Sequence, residues 1–504
     1  MYKAMSHKDN CPFFSVVIPT RKRPELIEAN LYSLRNQTFD DFEVIVSDNT
    51  FEDTCKNVFD KYADARFSYI QPQNELNMAD NWDYALSKAR GLYVTVLEDK
   101  HYFYFDSLQS IYDVLTNRDL PDILNYGMDY FIPYDEKQNI GCLMKRLRTK
   151  ISNVIDIEAK IEEKLKHEIN NVVSVNEYGP FGALTIGMVK NEIIDQIRQK
   201  NGSVFKKYFN PDWGLSLEFL CNAKTAVCMK DSQVIISGSK KSNGGKCVRS
   251  IKSLEDFIDT TFCGRERLKY ATVPNYCATA TNLVTADYNY AIETIPRLKG
   301  KKINRISSLI NIYKESEWVE DWISEERKIE EQKKFNDILN TLNLEEWKLF
   351  QNNIIDPIQK NFTDCYVRAD VGDIKSFFNH EIQKEKILDF SKKYTTLYCY
   401  GAGDYGQAIV DYLRINNIDI EAYIVTDGES KPATIRGIPV YTVSEIVFNT
   451  SSFGVILSLH YQHHEQVKKI LKDKKISNIY SAVAYEYIKN YIKKTKKDTE
   501  RGNL

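Results

Sequence analysis

Between Phe13 and about Leu97, short β-rich apolar runs alternate with stretches of helical periodicity: FFSVVIP, PELIEANLYSLRNQ, FEVIVSD, a polar helix near Cys55 to Tyr62, FSYI, MADNWDYALSKA and LYVTVL. That alternation constrains the fold more than any other feature of the chain. It reads as βαβαβαβ around a parallel sheet. Ligands of such sheets bind beyond the carboxyl ends of the strands, which directs attention to the residues after Ile18, Val46 and Leu97. They are polar and acidic in each case.

The texture then changes twice. Residues 100 to 245 have mixed patterns and end in the glycine-rich loop ISGSKKSNGGK, where Gly238, Gly244 and Gly245 mark irregular backbone. After Cys247 come long Glu-, Lys-, Ile- and Leu-rich stretches with Val319, Trp322, Ile323, Ile329, Ile338, Leu339 and Leu342 at helical spacing. This predicts a helical middle region, with the charge run SEERKIEEQKK as a solvated helix face. From Thr395 a second strand-helix alternation begins (LYCYGAGDYGQAIVDYLRI, IEAYIVTD, GIPVYTVSEI, FGVILSL, HEQVKKILKD, NIYS), and a basic tail closes the chain. The expected fold class is α/β, with domains at 12–245 and 391–490, a helical region at 246–390 and a tail at 491–504. A length of 504 residues suits about three domains of roughly 150 residues.

Composition removes several classes. Lys and Arg total 68 against 70 for Asp and Glu, a formal charge of -2, so no global basic field marks a nucleic-acid binder. The ten cysteines form no CxxC pair, which argues against a zinc site or a disulfide scaffold and for a reducing cytoplasm. No apolar run reaches the roughly 20 residues of a membrane span, and the first residues lack a secretory layout. His460, His463 and His464 sit at a strand-to-helix joint without Cys or acidic companions and read as a helix-start group.

The segments FSVVIPTRKRPELIEANLYSLRNQTFDDFEVIVSDN and NMADNWDYALSKARGLYVTVLEDKHYFYFDSL resemble family 2 glycosyltransferases of the GT-A fold, over about residues 13 to 245. A first strand, PTxxR, a strand-terminal Asp, an Asn-rich helix start and an A-x-G-x-Y lead into an acidic turn follow one another in family order. The resemblance implies a nucleotide-sugar site in which Thr20, Arg21 and Asp48 hold base and ribose, with Asn81 on the following helix. Glu98, Asp99 and Lys100 stand at the acidic metal motif. There the chain departs from the family pattern, because Lys100 takes a position of hard oxygen ligation that an ammonium cannot fill. Either Asp99 holds Mg²⁺ or Mn²⁺ through the diphosphate, or Lys100 replaces part of the metal's charge. FNPDWGLSLEFL resembles the late acidic motif, making Asp212 the implied general base; a helix cap is its alternative role. Lys240 and Lys241, in the glycine loop, suit a diphosphate or an anionic acceptor.

YCYGAGDYGQAIVDYL follows a strand and opens a helix, with Gly401, Gly403 and Gly406 in GxGxxG spacing and Asp427 ending the next strand. That is the setting the dinucleotide fingerprint requires. The region resembles small Rossmann-like domains beside sugar-modifying enzymes, including the N-terminal domain of nucleotide-sugar acetyltransferases. A nucleotide is therefore the implied ligand, and a ligand-free docking domain is the alternative.

These readings converge on an inverting glycosyltransferase that moves a sugar from a nucleoside-diphosphate sugar to a glycan or lipid-linked acceptor in bacterial surface polysaccharide synthesis. Two other classes stay open. One is a non-catalytic nucleotide-sugar-binding scaffold, consistent with Lys100. The other is an oxidoreductase or epimerase using Gly401 to Asp427, against which no Tyr-x-x-x-Lys set follows the glycines. The tail, with Lys489, Lys493, Lys494, Lys496 and Lys497 among tyrosines and isoleucines, offers a peripheral contact to an anionic membrane.

Overall fold

The computed structural model describes residues 11–52, 54–135, 140–146, 152–166, 181–237, 246–354, 366–372, 387–447, 452–459 and 463–482. Lys240, Lys241, His460 and the basic tail lie outside the described residues. Contacts divide the chain into two units, Met1–Ile132 with Met144–Tyr366, and Pro133–Leu143 with Val367–Leu504. The helical stretch after Cys247 groups with the first unit as far as Tyr366.

In the first unit β1 (Phe14–Thr20), β2 (Phe42–Asp48), β3 (Phe67–Ile70) and β4 (Tyr93–Val96) are parallel, in the order β3-β2-β1-β4. Every residue of β1, β2 and β4 is buried. Strands covered on both faces need apolar residues on both, hence the continuous runs FSVVI and FEVIV. Successive β1 side chains feed opposite cores. Val17 joins Ile45, Val94 and Val96 on one side, while Val16 and Ile18 join Val44 and Val46 on the other. Helix α1 (Pro24–Arg35) starts with Pro at a position where its missing N–H costs nothing, and it buries Ile27, Leu31 and Leu34 against the second core.

Beyond α2 (Thr54–Lys61) and α3 (Met78–Leu86), the chain leaves the main run of strands after β4 and continues on a branch of the same sheet. The three-residue β5 (His101–Phe103) pairs antiparallel with β10 (Ala226–Ser237). Between them lie α4 (Ser107–Asn117), β6 (Ile123–Asp135), β7 (Ile140–Arg146), β8 (Ser152–Val154), α5 (Ile157–Lys166), β9 (Gly187–Lys190), α6 (Asn191–Asn201) and α7 (Pro211–Asn222). β9 runs antiparallel between β4 and β6 and joins them into one sheet. Leu215, Leu217, Phe219 and Leu220 of α7 pack with Ile193, Ile194 and Ile197 of α6 in the first core.

The region after Cys247 is helical as expected: α8 (Ile251–Thr260), α9 (Ala280–Thr294), α10 (Arg305–Ser316), α11 (Glu325–Leu339) and α12 (Leu344–Ile354). Ser250, Thr279, Asn304 and Ser324 cap four of these helices through their side chains. Three details differ from the sequence reading. Val319, Trp322 and Ile323 lie between helices rather than on one. Ile323 and Ile329, expected on the apolar stripe, are 51% and 57% exposed, and Phe335 fills the core instead. Glu331, in the run read as a solvated face, is fully buried; its carboxylate accepts the Cys277 N–H at 2.8 Å and pairs with Arg327 at 2.9 Å. It pins a loop that periodicity alone cannot reveal.

The second unit contains β12 (Thr396–Tyr400), α13 (Asp404–Ile415), β13 (Ala422–Val425), β14 (Thr434–Ile435), β15 (Ile438–Thr442), β16 (Phe453–Leu457), α14 (His464–Asp473) and β17 (Ile479–Ser481), besides β11 (Tyr366–Gly372). The sheet order is β14-β15-β13-β12-β16-β17, parallel except for the β14–β15 hairpin. Strand order reverses at β12, so the crevice beyond its carboxyl end is where an open α/β sheet takes a ligand. Among the described residues no helix is long and apolar enough to cross a membrane.

Candidate active site

The acidic turn after β4 is held by its backbone. The His101 N–H donates to the Glu98 carbonyl at 2.8 Å, and Asn30, fully buried on α1, donates through Nδ2 to the carbonyls of Glu98 and His101 at 3.2 and 2.9 Å. With the backbone fixed, the side chains divide. Asp99 accepts from Thr20 Oγ1 at 3.3 Å and pairs with Arg23 at 3.2 Å. Glu98 pairs with Lys100 at 3.2 Å and lies 3.8 Å from His101 Nε2.

Burial pushes the Asp99 carboxyl above its usual value, against the pull of Arg23. Burial opposes the charged form of Glu98 as well, yet neighbouring positive charge outweighs it and holds this carboxyl below the usual range. Burial drives His101 down to about 4, although the Glu98 charge pulls the other way.

Asp212 enters from the other side, in the first turn of α7 behind Pro211. Thr185 Oγ1 donates to its Oδ1 at 2.9 Å. Burial raises its carboxyl to about 6; the Glu98 charge adds to the rise, and Thr185, Lys100 and Lys164 temper it. Glu98, Lys100 and Asp212 thus share one electrostatic neighbourhood. The entry to α7 is fixed by Asp287 of α9, whose two oxygens accept the Phe209 and Asn210 N–H groups at 2.9 and 2.8 Å. Full burial lifts the Asp287 carboxyl to about 7 despite those amides.

Of the residues expected from sequence, Thr20, Glu98, Asp99, Lys100 and Asp212 are brought together. Asp48 stands opposite Thr20 in the β1–β2 register, fully buried, with the Tyr69 hydroxyl donating at 2.6 Å. Burial raises its carboxyl, and hydrogen bonds from Tyr69 and the Thr50 backbone pull it back. Asn81 is buried and accepts from Ser47 Oγ at 2.8 Å. Arg21 turns away from Asp99 to an exposed ion pair with Glu75.

A divalent cation of the Mg²⁺ or Mn²⁺ kind finds no ready ligand set here. Asp99, the expected ligand, is taken up by Thr20 and Arg23, and Glu98 by Lys100. Among the described residues no group of three or more His, Cys, Asp or Glu is arranged to hold a metal. Arg23, Asn30, Thr185 and Asp287 were not singled out from the sequence. Arg23 was within reach, as the last residue of PTxxR; the other three act across long sequence separations that no local pattern signals.

In the second unit Gly401 has φ of +111°, a conformation side chains disfavour, and a Cβ on Gly406 would lie 1.7 Å from the Gly401 carbonyl oxygen. Nothing lies within 4 Å of a Cβ on Gly403. A cavity of about 500 Å³ opens there, lined by Tyr400, Gly403, Thr426, Lys431 and His463 among others. Asp427, expected at a ribose, accepts both the N–H and the hydroxyl of Ser444 through Oδ1 at 2.8 Å and caps the turn after β15. Those two bonds account for its lowered carboxyl. His464 Nε2 lies 2.9 Å from the Leu459 carbonyl, a local contact at the start of α14.

Residues 15–152 match the model of Glycosyl transferase family 2. Among curated proteins, the GalNAc(5)-diNAcBac-PP-undecaprenol beta-1,3-glucosyltransferase of Campylobacter jejuni is 37% identical over 91 residues, 18% of this chain and 29% of that protein. The chain thus spans under a third of the length of this relative. Among solved structures, S. aureus TarS 1–349 in complex with UDP-GlcNAc has a TM-score of 0.37 at 14% identity, covering 69% of this chain and 81% of that one. TarS 1–349 with UDP gives 0.34 at 12%, covering 70% and 98%. The family match falls on β1 to β7, within an α/β first unit that also carries the helices after Cys247; a second unit with its own sheet follows.

Proposed function

We propose that the first unit transfers a sugar, with inversion, from a nucleoside-diphosphate sugar to a hydroxyl of a glycan or lipid-linked acceptor. The observation that carries this reading is Asp212, a carboxyl raised to about 6 beside the Glu98–Lys100 turn. Such a group is mostly ionised at neutral pH yet basic enough to take a hydroxyl proton. The acceptor oxygen attacks the anomeric carbon from the face opposite the diphosphate. The bond from that carbon to the diphosphate oxygen breaks, the acceptor proton passes to Asp212, and the nucleoside diphosphate leaves with the bonding pair. Arg23 and Lys100 supply positive charge where the leaving group gains negative charge. Thr20 and Asp48, neighbours at the ends of β1 and β2, are read as flanking the nucleotide.

The name of the Campylobacter relative specifies a lipid-linked acceptor. Carried over, it supports an undecaprenyl-type acceptor; a role in bacterial surface polysaccharide synthesis and work in the cytoplasm at the membrane face are further parts of the proposal. The second unit is read as a nucleotide-binding domain, supported by the open side of Gly403 and the cavity beside it. The test of the transferase reading is turnover of a nucleotide-sugar panel by the full chain. Asp212→Asn should retain donor binding and lose roughly 10²- to 10⁴-fold in transfer. No turnover by the wild type, or an Asn variant near wild type, overturns it.

A further inference from the structure

A cavity of about 400 Å³ in the first unit lies beside this machinery, within the range of small-ligand sites. Arg21, from the loop after β1, and Pro211, the neighbour of Asp212, both line it. Phe257 and Thr260 of α8, with Phe262 just beyond, supply another wall. These three residues lie beyond residues 15–152, the stretch that matches the family.

Phe262 is the unusual member. It is 69% exposed although large and aromatic, and Lys206 Nζ stands 5.5 Å from its ring centre. Lys206 is itself held by an ion pair with Asp80. An aromatic face left in water inside a cavity that also presents Arg21, Glu75 and Thr260 combines an apolar surface with polar groups. A pyranose has that same division, with a face of C–H groups and a rim of hydroxyls.

We propose that this cavity is a pyranose subsite, in which the C–H face of a hexose packs on Phe262 and its hydroxyls meet Glu75 and Thr260. The ring would come from the acceptor glycan or from the donor sugar, and in that respect the proposal rests on the transferase reading.

The experiment is saturation-transfer NMR on the full chain with methyl β-glucopyranoside, methyl N-acetyl-β-glucosaminide and uridine as probes, for wild type, Phe262→Ala and Phe262→Tyr. The ring is exposed, so the fold should survive its removal, which circular dichroism verifies. The expected result is saturation of a methyl glycoside by the wild type, an affinity about tenfold weaker in Phe262→Ala, and retention in Phe262→Tyr. Calorimetry with UDP and UDP-glucose then identifies the source. Weakened UDP-glucose with unchanged UDP assigns the donor sugar; both unchanged assigns the acceptor. Failure of the wild type to saturate either glycoside, equal saturation in Phe262→Ala, or loss confined to uridine overturns the proposal. Absence of turnover on the nucleotide-sugar panel would instead remove the transferase reading and leave glycoside binding to be judged by itself.

Discussion

Asp287 accepts the Asn210 N–H at 2.8 Å, and that bond sets the point from which the helix carrying Asp212 departs. Its other oxygen takes the Phe209 N–H, so one buried carboxylate satisfies two backbone donors that have no intrahelical partner. Removing it strands both. Asp287→Ala should cost about 1–3 kcal/mol in folding and lower kcat more than the donor KM. The sign of its pH dependence is fixed. A folded value near 7 against 3.8 unfolded means that its stabilisation is complete at acid pH and is lost as pH rises through about 7. Urea titrations near pH 5 and near pH 8 should show that decline in the wild type and a smaller one in Asp287→Asn; equal slopes would remove the linkage.

The pH profile of transfer should report Asp212. The base must be ionised, so kcat/KM rises with pH along a limb near the value of about 6. Thr185→Val deletes a bond that favours the carboxylate and should move the limb up. Glu98→Gln deletes a repelling charge and should move it down. Shifts in the same direction for both variants, or none, would detach the limb from Asp212.

Charge compensation at the diphosphate is expected from Arg23 and Lys100 rather than from a cation. Calorimetry with a nucleotide-sugar should give one affinity in Mn²⁺, in Mg²⁺ and in EDTA, and a weaker one for Lys100→Ala. Binding abolished by EDTA together with an innocuous Lys100→Ala would reverse this assignment.

Two glycines of the second unit should separate folding from binding. Gly406→Ala places a methyl where the Gly401 carbonyl already lies and should melt this unit in calorimetry. Gly403→Val meets open space, so it should fold, lose thermal stabilisation by nucleotides, and keep transferase activity. Stabilisation of the wild type by NADH alone would overturn the preference for a nucleotide or nucleotide-sugar in a non-redox role.

The strands β1, β2 and β4 were legible because burial on both faces leaves an unbroken apolar run, and their ends pointed to Asp48 and to the Glu98–Lys100 turn. The long β6 and β10 were not, since each mixes polar and apolar residues along its length, and their parallel pairing carries register shifts between Met229 and Val234. A position at a strand end suggests a ribose role for Asp427; that Ser444 bonds its Oδ1 is a local cap that position alone does not show. Thr185 and Asp287 act on the neighbourhood of Asp212 from remote stretches of chain, so only the assembled fold reveals them.

The acidic turn is tied at both ends to one continuous sheet: β4 pairs with β1 and β9, β5 pairs with β10, and β10 returns through β6 and β9 to β4. Its length is therefore locked at both ends. One residue added or removed between Val96 and His101 would present alternate faces of β5 to β10, exchanging the environments of His101 and Tyr102, both of which are buried. Divergence at this turn can proceed by substitution, as Lys100 illustrates, but insertions and deletions there should be purged, and length variation should collect in the loops that end in solvent.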